Sequence, residues 1–167
     1  HFTIHSFPTR RSSDLDLKFR VEDFEIDVDL DSETATADFD TDSLVPIDAI
    51  IWDSRQETGE LSEGDRREIK QRMEKQVLET EEFPNIVLDA TSIRETDSGW
   101  HANAQLQLHG EEHPIEFDIT RQGDRALVET TLDHTDFGIE PYSAMLGGLK
   151  VSPTVVVTAE FPIPPGW

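Results

Sequence analysis

The sequence predicts an all-β domain of antiparallel strands with one amphipathic helix, and three observations carry that prediction. From Asp16 onward apolar and polar residues alternate with a period of two, as strands with one buried and one wet face require. Short turn signals at Asp97-Ser98-Gly99, Gly110-Glu111-Glu112 and Gln122-Gly123-Asp124 join successive runs so tightly that the strands must be antiparallel neighbours. A single stretch shifts to helical spacing. At 167 residues the chain fits one domain with a real core.

The elements follow in order. Leu17, Phe19 and Val21 share one face, and Phe24, Ile26, Val28 and Leu30 continue it after a one-residue slip at Glu22-Asp23, which reads as a bulge that bends a long strand. Residues 34–44 turn Ala35, Ala37 and Phe39 inward. Pro46 to Leu61 mixes Ile50, Ile51 and Trp52 with turn residues and is expected to be an ordered loop. The helix comes next: Ser62 caps it, Glu63 and Asp65 suit its positive end, and Ile69, Met73, Val77 and Leu78 form its apolar stripe. It should lie against the strands as a lid or plug. Phe83-Pro84 ends that region. Four strands over 85–96, 99–110, 112–122 and 124–136 and a last one over 150–161 complete a count of seven. Their inward residues include Trp100, Ala102, Ala104, Leu106, Phe117, Ala126, Val128, Val157 and Ala159.

Charge narrows the function. Fourteen basic against 36 acidic side chains give a net charge of −22, a field that repels nucleic acid and anionic surfaces. The acids are spread along the chain and Arg outnumbers Lys ten to four, a pattern expected of a protein that works in concentrated salt. There is no cysteine, hence no disulfide or thiolate site, and no run of apolar residues long enough to be a spanning helix. Residues His5 to Leu15, HSFPTRRSSDL, read as a translated sequencing adapter, so residues 1–15 are set aside as a non-native segment and 16–167 taken as the domain. Without Arg10, Arg11 and Asp14 the net charge becomes −23, so the basic doublet is not a binding patch. Residues 1–14 are expected to pack poorly.

Leu106-Gln107-Leu108-His109-Gly110 with Pro114, then Asp136-Phe137-Gly138-Ile139 followed by the segment Pro141 to Val151, together with Phe83-Pro84-Asn85-Ile86, resemble in the same order three motifs of the YceI-like lipid-binding family. The resemblance spans Asp16 to Phe161 and departs at the family's first strand, at Leu88 where Phe is usual, and at Ser152-Pro153 where an acidic residue commonly leads into the last strand. It implies an eight-stranded, lipocalin-like antiparallel β-barrel holding a polyisoprenoid or similar long-chain lipid, with no cofactor and no catalytic residue. The strand missing from the count falls where the set-aside segment lies.

Within that frame the small inward residues are informative. Ala35, Ala37, Ala102, Ala104, Ala126 and Ala159 stand where a solid barrel would use Leu or Ile, and an eight-stranded barrel is just wide enough to fill with side chains or to hold one slim ligand. Small residues tip it toward the second, against the plainer reading that small and large residues alternate merely to pack. The expected lining is therefore Phe19, Phe24, Ile26, Ala35, Ala37, Phe39, Trp100, Ala102, Ala104, Leu106, Phe117, Ala126, Val128, Val157 and Ala159, with Tyr142 and Met145 near an opening. Arg66, Arg67, Arg72 and Arg94 are the basic residues available to a head group.

The rival reading is a metal-dependent enzyme at the barrel mouth using His109, His113 or His134. His109 and His113 flank Gly110 on two hairpin strands, so their rings need not meet, and no nucleophile stands at a diagnostic spacing from His134. The polar run His101, Asn103, Gln105, Gln107, His109 reads as the wet face of one strand.

Overall fold

The computed structural model describes residues 2–8, 16–51, 54–140 and 151–167, with the backbone alone for 2–8 and 151–152. Its eleven strands are β1 (Phe2–Pro8), β2 (Asp16–Val21), β3 (Phe24–Asp29), β4 (Thr34–Asp40), β5 (Leu44–Ile51), β6 (Gln56–Glu57), β7 (Asn85–Thr96), β8 (Gly99–Leu108), β9 (Glu111–Gln122), β10 (Arg125–Asp133) and β11 (Val151–Pro162). All pairings are antiparallel, in the order β3-β4-β7-β8-β9-β10-β11-β1-β2-β5-β6.

That order closes on itself. β2 and β3 are one long strand bent at Glu22-Asp23, and β4 and β5 are another, bent at the 3-10 turn Thr41–Ser43. The bends face each other: Glu22 N–H donates to the Ser43 carbonyl and Asp40 N–H to the Asp23 carbonyl, both at 3.1 Å. Counting each bent strand once, the ring β1, β2/β3, β4/β5, β7, β8, β9, β10, β11 is an eight-stranded barrel. The slip read from the sequence at Glu22-Asp23 is thus the corner by which one strand serves both ends of the ring.

β1 is the eighth strand, so within residues 1–14, expected to pack poorly, the stretch Phe2–Pro8 is paired along its backbone on both sides. Phe2–Pro8 pairs with β11 on one side and β2 on the other, because closure needs a strand between them. Residues 9–15 lie outside the described residues.

The expected loop over Pro46 to Leu61 is corrected. β5 runs on to Ile51 and pairs with β2, and a register shift between Lys18 and Phe19 absorbs the irregularity that Pro46 and Asp48 introduce. Asp48 is buried, and its carboxylate accepts N–H bonds from Ala49 at 2.8 Å, Gly59 at 2.5 Å and Leu61 at 3.3 Å, pinning the turn after β6. Burial opposes ionisation there, but those three donors and nearby Arg66 outweigh it and hold the carboxyl below the usual range.

The helix forms where expected. α1 (Glu63–Arg72) opens on a capping box in which the Ser62 hydroxyl accepts from Asp65 N–H and the Asp65 carboxylate accepts from Ser62 N–H. It widens into a single π-turn, Met73–Val77, that buries Met73. On the other side, β7 to β10 are joined by two-residue turns. At the first of these a Cβ on Gly99 would sit 1.9 Å from the Ile119 carbonyl oxygen, so only glycine lets β8 and β9 approach so closely.

Candidate functional site

The barrel is hollow. A cavity of about 760 Å³ runs through it, within the range of about 300–1,000 Å³ that holds small-molecule ligands. The inward side chains betray it directly: Ile26, Leu88, Ile115, Phe117, Ile119 and Phe161 point into the barrel yet are only half-buried, because they face open space instead of one another. Small residues are what leave that space, with Ala35, Ala37, Ala102, Ala126 and Ala159 all on the wall.

Of the expected lining, Phe19, Ile26, Phe39, Trp100, Leu106, Phe117, Val128 and Val157 join those five alanines on the wall. Two residues do not. Phe24 is 38% exposed and lies with its ring 6.1 Å from that of Phe39, since it directly follows the bend and begins a strand partnered by β4 alone among the described strands. Ala104 is buried in the cluster with Ala90, Ile93 and Trp100 but is not among the residues that line the cavity. Tyr142 and Met145 lie outside the described residues.

The two ends of the cavity differ. At one, Ile93, Trp100, Ile163 and Trp167 close the barrel, with the two indoles edge-to-face at 5.7 Å between centroids and the Arg121 guanidinium 4.7 Å from the Trp100 ring centroid. At the other, α1 lays Ile69 and Met73 against the cavity and brings Asp65, Glu68 and Arg72 to its rim, where Arg72 pairs with Glu68. Arg72 is the one proposed head-group arginine on the wall. Arg66, Arg67 and Arg94 are not, and the Arg66 guanidinium donates instead to the carbonyls of Ile47 and Leu61.

The three histidines of the rival reading are each engaged separately. His109 Nε2 lies 2.8 Å from a Glu79 carboxylate oxygen and its ring lies tilted against Phe83 with 4.3 Å between centroids, while His113 sits edge-on to Phe137. His134 is buried and bonds the Ile139 carbonyl through Nδ1 at 3.0 Å. Among the described residues no three His, Asp or Glu side chains gather as a metal site. His134 also lines the cavity, which the sequence reading missed, as it missed Leu44 and Ala49 on β5 and Ile163 and Trp167 after β11. Ala49 was hidden by the loop expected over Pro46 to Leu61, and Leu44 closed the strand read over 34–44 without being counted among its inward residues. The second pair continues the phase of Val157, Ala159 and Phe161, but Pro162, Pro164 and Pro165 read as the end of the strand.

The match to known families now decides the assignment, for residues 2–163 match the YceI-like domain. The chain belongs to the YceI-like family. The family match begins ahead of the boundary drawn at residue 16. Solved structures share the fold at low identity: Burkholderia cenocepacia BcnA at 9% identity and a TM-score of 0.61, covering 95% of this chain and 94% of that one. A polyisoprenoid binding domain from Saccharophagus degradans follows at 14% and 0.58, covering 94% and 88%. The YceI protein of Campylobacter jejuni matches at 12% and 0.53, covering 94% and 92%. A comparison with curated proteins returned no match. No helix among the described residues of this YceI-like chain is long and apolar enough to cross a membrane.

Proposed function

We propose that this YceI-like protein is a carrier that binds a long apolar ligand, a polyisoprenoid or related lipid, inside its barrel. The observation that carries the reading is the hollow, apolar interior, in which inward Ile, Leu and Phe side chains remain accessible to a cavity of about 760 Å³. Each methylene moved from water into it contributes about 0.8 kcal/mol, so ten buried carbons supply about 8 kcal/mol before the costs of association. No charged anchor, catalytic group or cofactor is needed for that. The polyisoprenoid binding domain of Saccharophagus degradans, which shares the fold, supports the same ligand class. The net charge of −22 disfavours nucleic acid as a partner and makes the outside of the barrel a poor seat for a diphosphate.

The test is titration of delipidated protein with geranylgeraniol, followed by the fluorescence of its tryptophans, of which Trp100 and Trp167 face the cavity. Saturable one-to-one binding in the micromolar range or tighter is expected. Folded protein that takes up no prenol would overturn the carrier reading.

A further inference from the structure

We infer that the polar end of the ligand is a hydrogen-bond donor, a free hydroxyl, accepted by Nε2 of His134; this deepens the carrier reading and rests on it. His134 is 9% exposed and forms part of the cavity wall beside Leu132 and Ile139. Its ring is held by the turn it begins. The 3-10 turn His134–Phe137 opens with the Asp133 carboxylate accepting from Thr135 N–H and closes at Gly138, whose φ of 72° turns the chain back. Ile139 is thereby brought over His134: its N–H donates to the His134 carbonyl, and its own carbonyl lies 3.0 Å from Nδ1. A carbonyl oxygen only accepts, so Nδ1 carries the proton.

Consequently, in the neutral imidazole Nε2 presents a lone pair. No protein group is bonded to Nε2 among the described residues, that nitrogen is not fully buried, and His134 is one of the residues that line the cavity. A fixed acceptor in an apolar wall selects for a donor: a hydroxyl satisfies it, whereas an ether or ketone places one lone pair against another. Asp133 and Asp136 flank the same turn and set a negative field against a phosphate.

Besides the hydroxyls of Thr36 on β4 and Thr130 on β10, the other polar side chains on the wall lie away from His134. Asp65, Glu68 and Arg72 are exposed at the rim. The Trp167 indole N–H, itself a buried donor without an acceptor, lies toward the opposite end of β10, because Ile163 N–H bonds the Asp124 carbonyl just before that strand while His134 follows it. Nine residues of strand separate the two ends by roughly 30 Å along β10. The ligand's hydroxyl therefore sits at the helix end and its hydrocarbon tail points toward the two tryptophans.

The experiment compares geranylgeraniol with its methyl ether on wild type and on His134→Phe, which keeps a ring of similar size. Wild type should favour the alcohol by roughly two- to tenfold, the worth of one net hydrogen bond, and His134→Phe should bind both alike. The comparison is internal to each protein, so a change in stability does not move it. Should His134→Phe fail to fold, the imidazole ¹⁵N resonance of Nε2 in wild type replaces it, and this must shift upfield with the alcohol and stay in place with the ether. Equal affinity of wild type for both probes, a preference that survives in His134→Phe, or an unmoved resonance overturns the inference alone. Uptake of neither probe by folded wild type overturns the carrier reading and this inference with it.

Discussion

The two ends of the barrel are built on different physics. At one, Trp100, Trp167, Ile93 and Ile163 pack an aromatic floor that small-residue walls leave no other way to seal. At the other, a ten-residue helix with no fully buried residue lies over the opening, its charged Asp65, Glu68 and Arg72 at the rim. The floor is held by apolar and aromatic contact, the cover by one cap, one π-turn, a partial apolar stripe and the bonds of Arg66 and Lys70 to the carbonyls of Ile47 and Leu44 on β5. The contrast leads to the expectation that the helix end opens at lower free-energy cost than the floor.

The largest effect should come from filling the space between the ends. Ala126→Phe projects a ring into the cavity from β10, and geranylgeraniol binding should be abolished while a urea melt keeps its midpoint. In a packed core the same change would cost about 1–3 kcal/mol, so loss of binding together with loss of stability would mean that the interior is solid. Ala104, although inward, is the wrong position for this test because it does not line the cavity.

Next in size, the two ends should respond unequally to truncation. Trp100→Ala removes the floor and should cost about 3 kcal/mol or more in a urea melt. Ile69→Ala in the half-buried stripe of α1 should cost only about 1 kcal/mol. Equal costs would erase the distinction between floor and cover.

How far this was legible in the sequence follows the same division. The β7–β10 meander was readable because alternation is unbroken and two-residue turns fix its register, and Ser62 and Asp65 announced the helix start. The β5–β6 region was not, since the proline at Pro46 and the buried carboxylate of Asp48 mimic a loop while the partner strand β2 takes up the shift. Most of the expected lining residues stand on the cavity wall, while Phe24, where the bend decides the facing, and Ala104, within β8, do not. His134 was weighed as chemistry on a strand end; its place in the wall depends on a turn that folds Ile139 back onto it, a contact no periodicity encodes.

Two smaller effects concern the whole shell. With a net charge of −22, self-repulsion strains the compact state, and shortening the Debye length from about 10 Å at 0.1 M to about 3 Å at 1 M salt should raise the Tm by several degrees. A Tm that does not rise with salt would contradict the proposal that the chain is built for high salt. At the turn pinned by Asp48 the carboxyl is held low in the folded state, so its contribution is present above the unfolded value of about 4 and is lost as pH falls through the lower folded value. Asp48→Asn should therefore lower stability at pH 7 and flatten its fall toward acid, read from melts between about pH 7 and pH 2. A variant whose stability tracks wild type across that window would show that the turn does not depend on the charge.

Native mass spectrometry of the purified protein puts the central claim to its most direct test. Protein expressed in a host that makes prenyl lipids should fly with one long-chain adduct per chain, released by organic solvent as an apolar molecule with a free hydroxyl. A bare chain that stays bare after incubation with excess long-chain prenol would contradict the account.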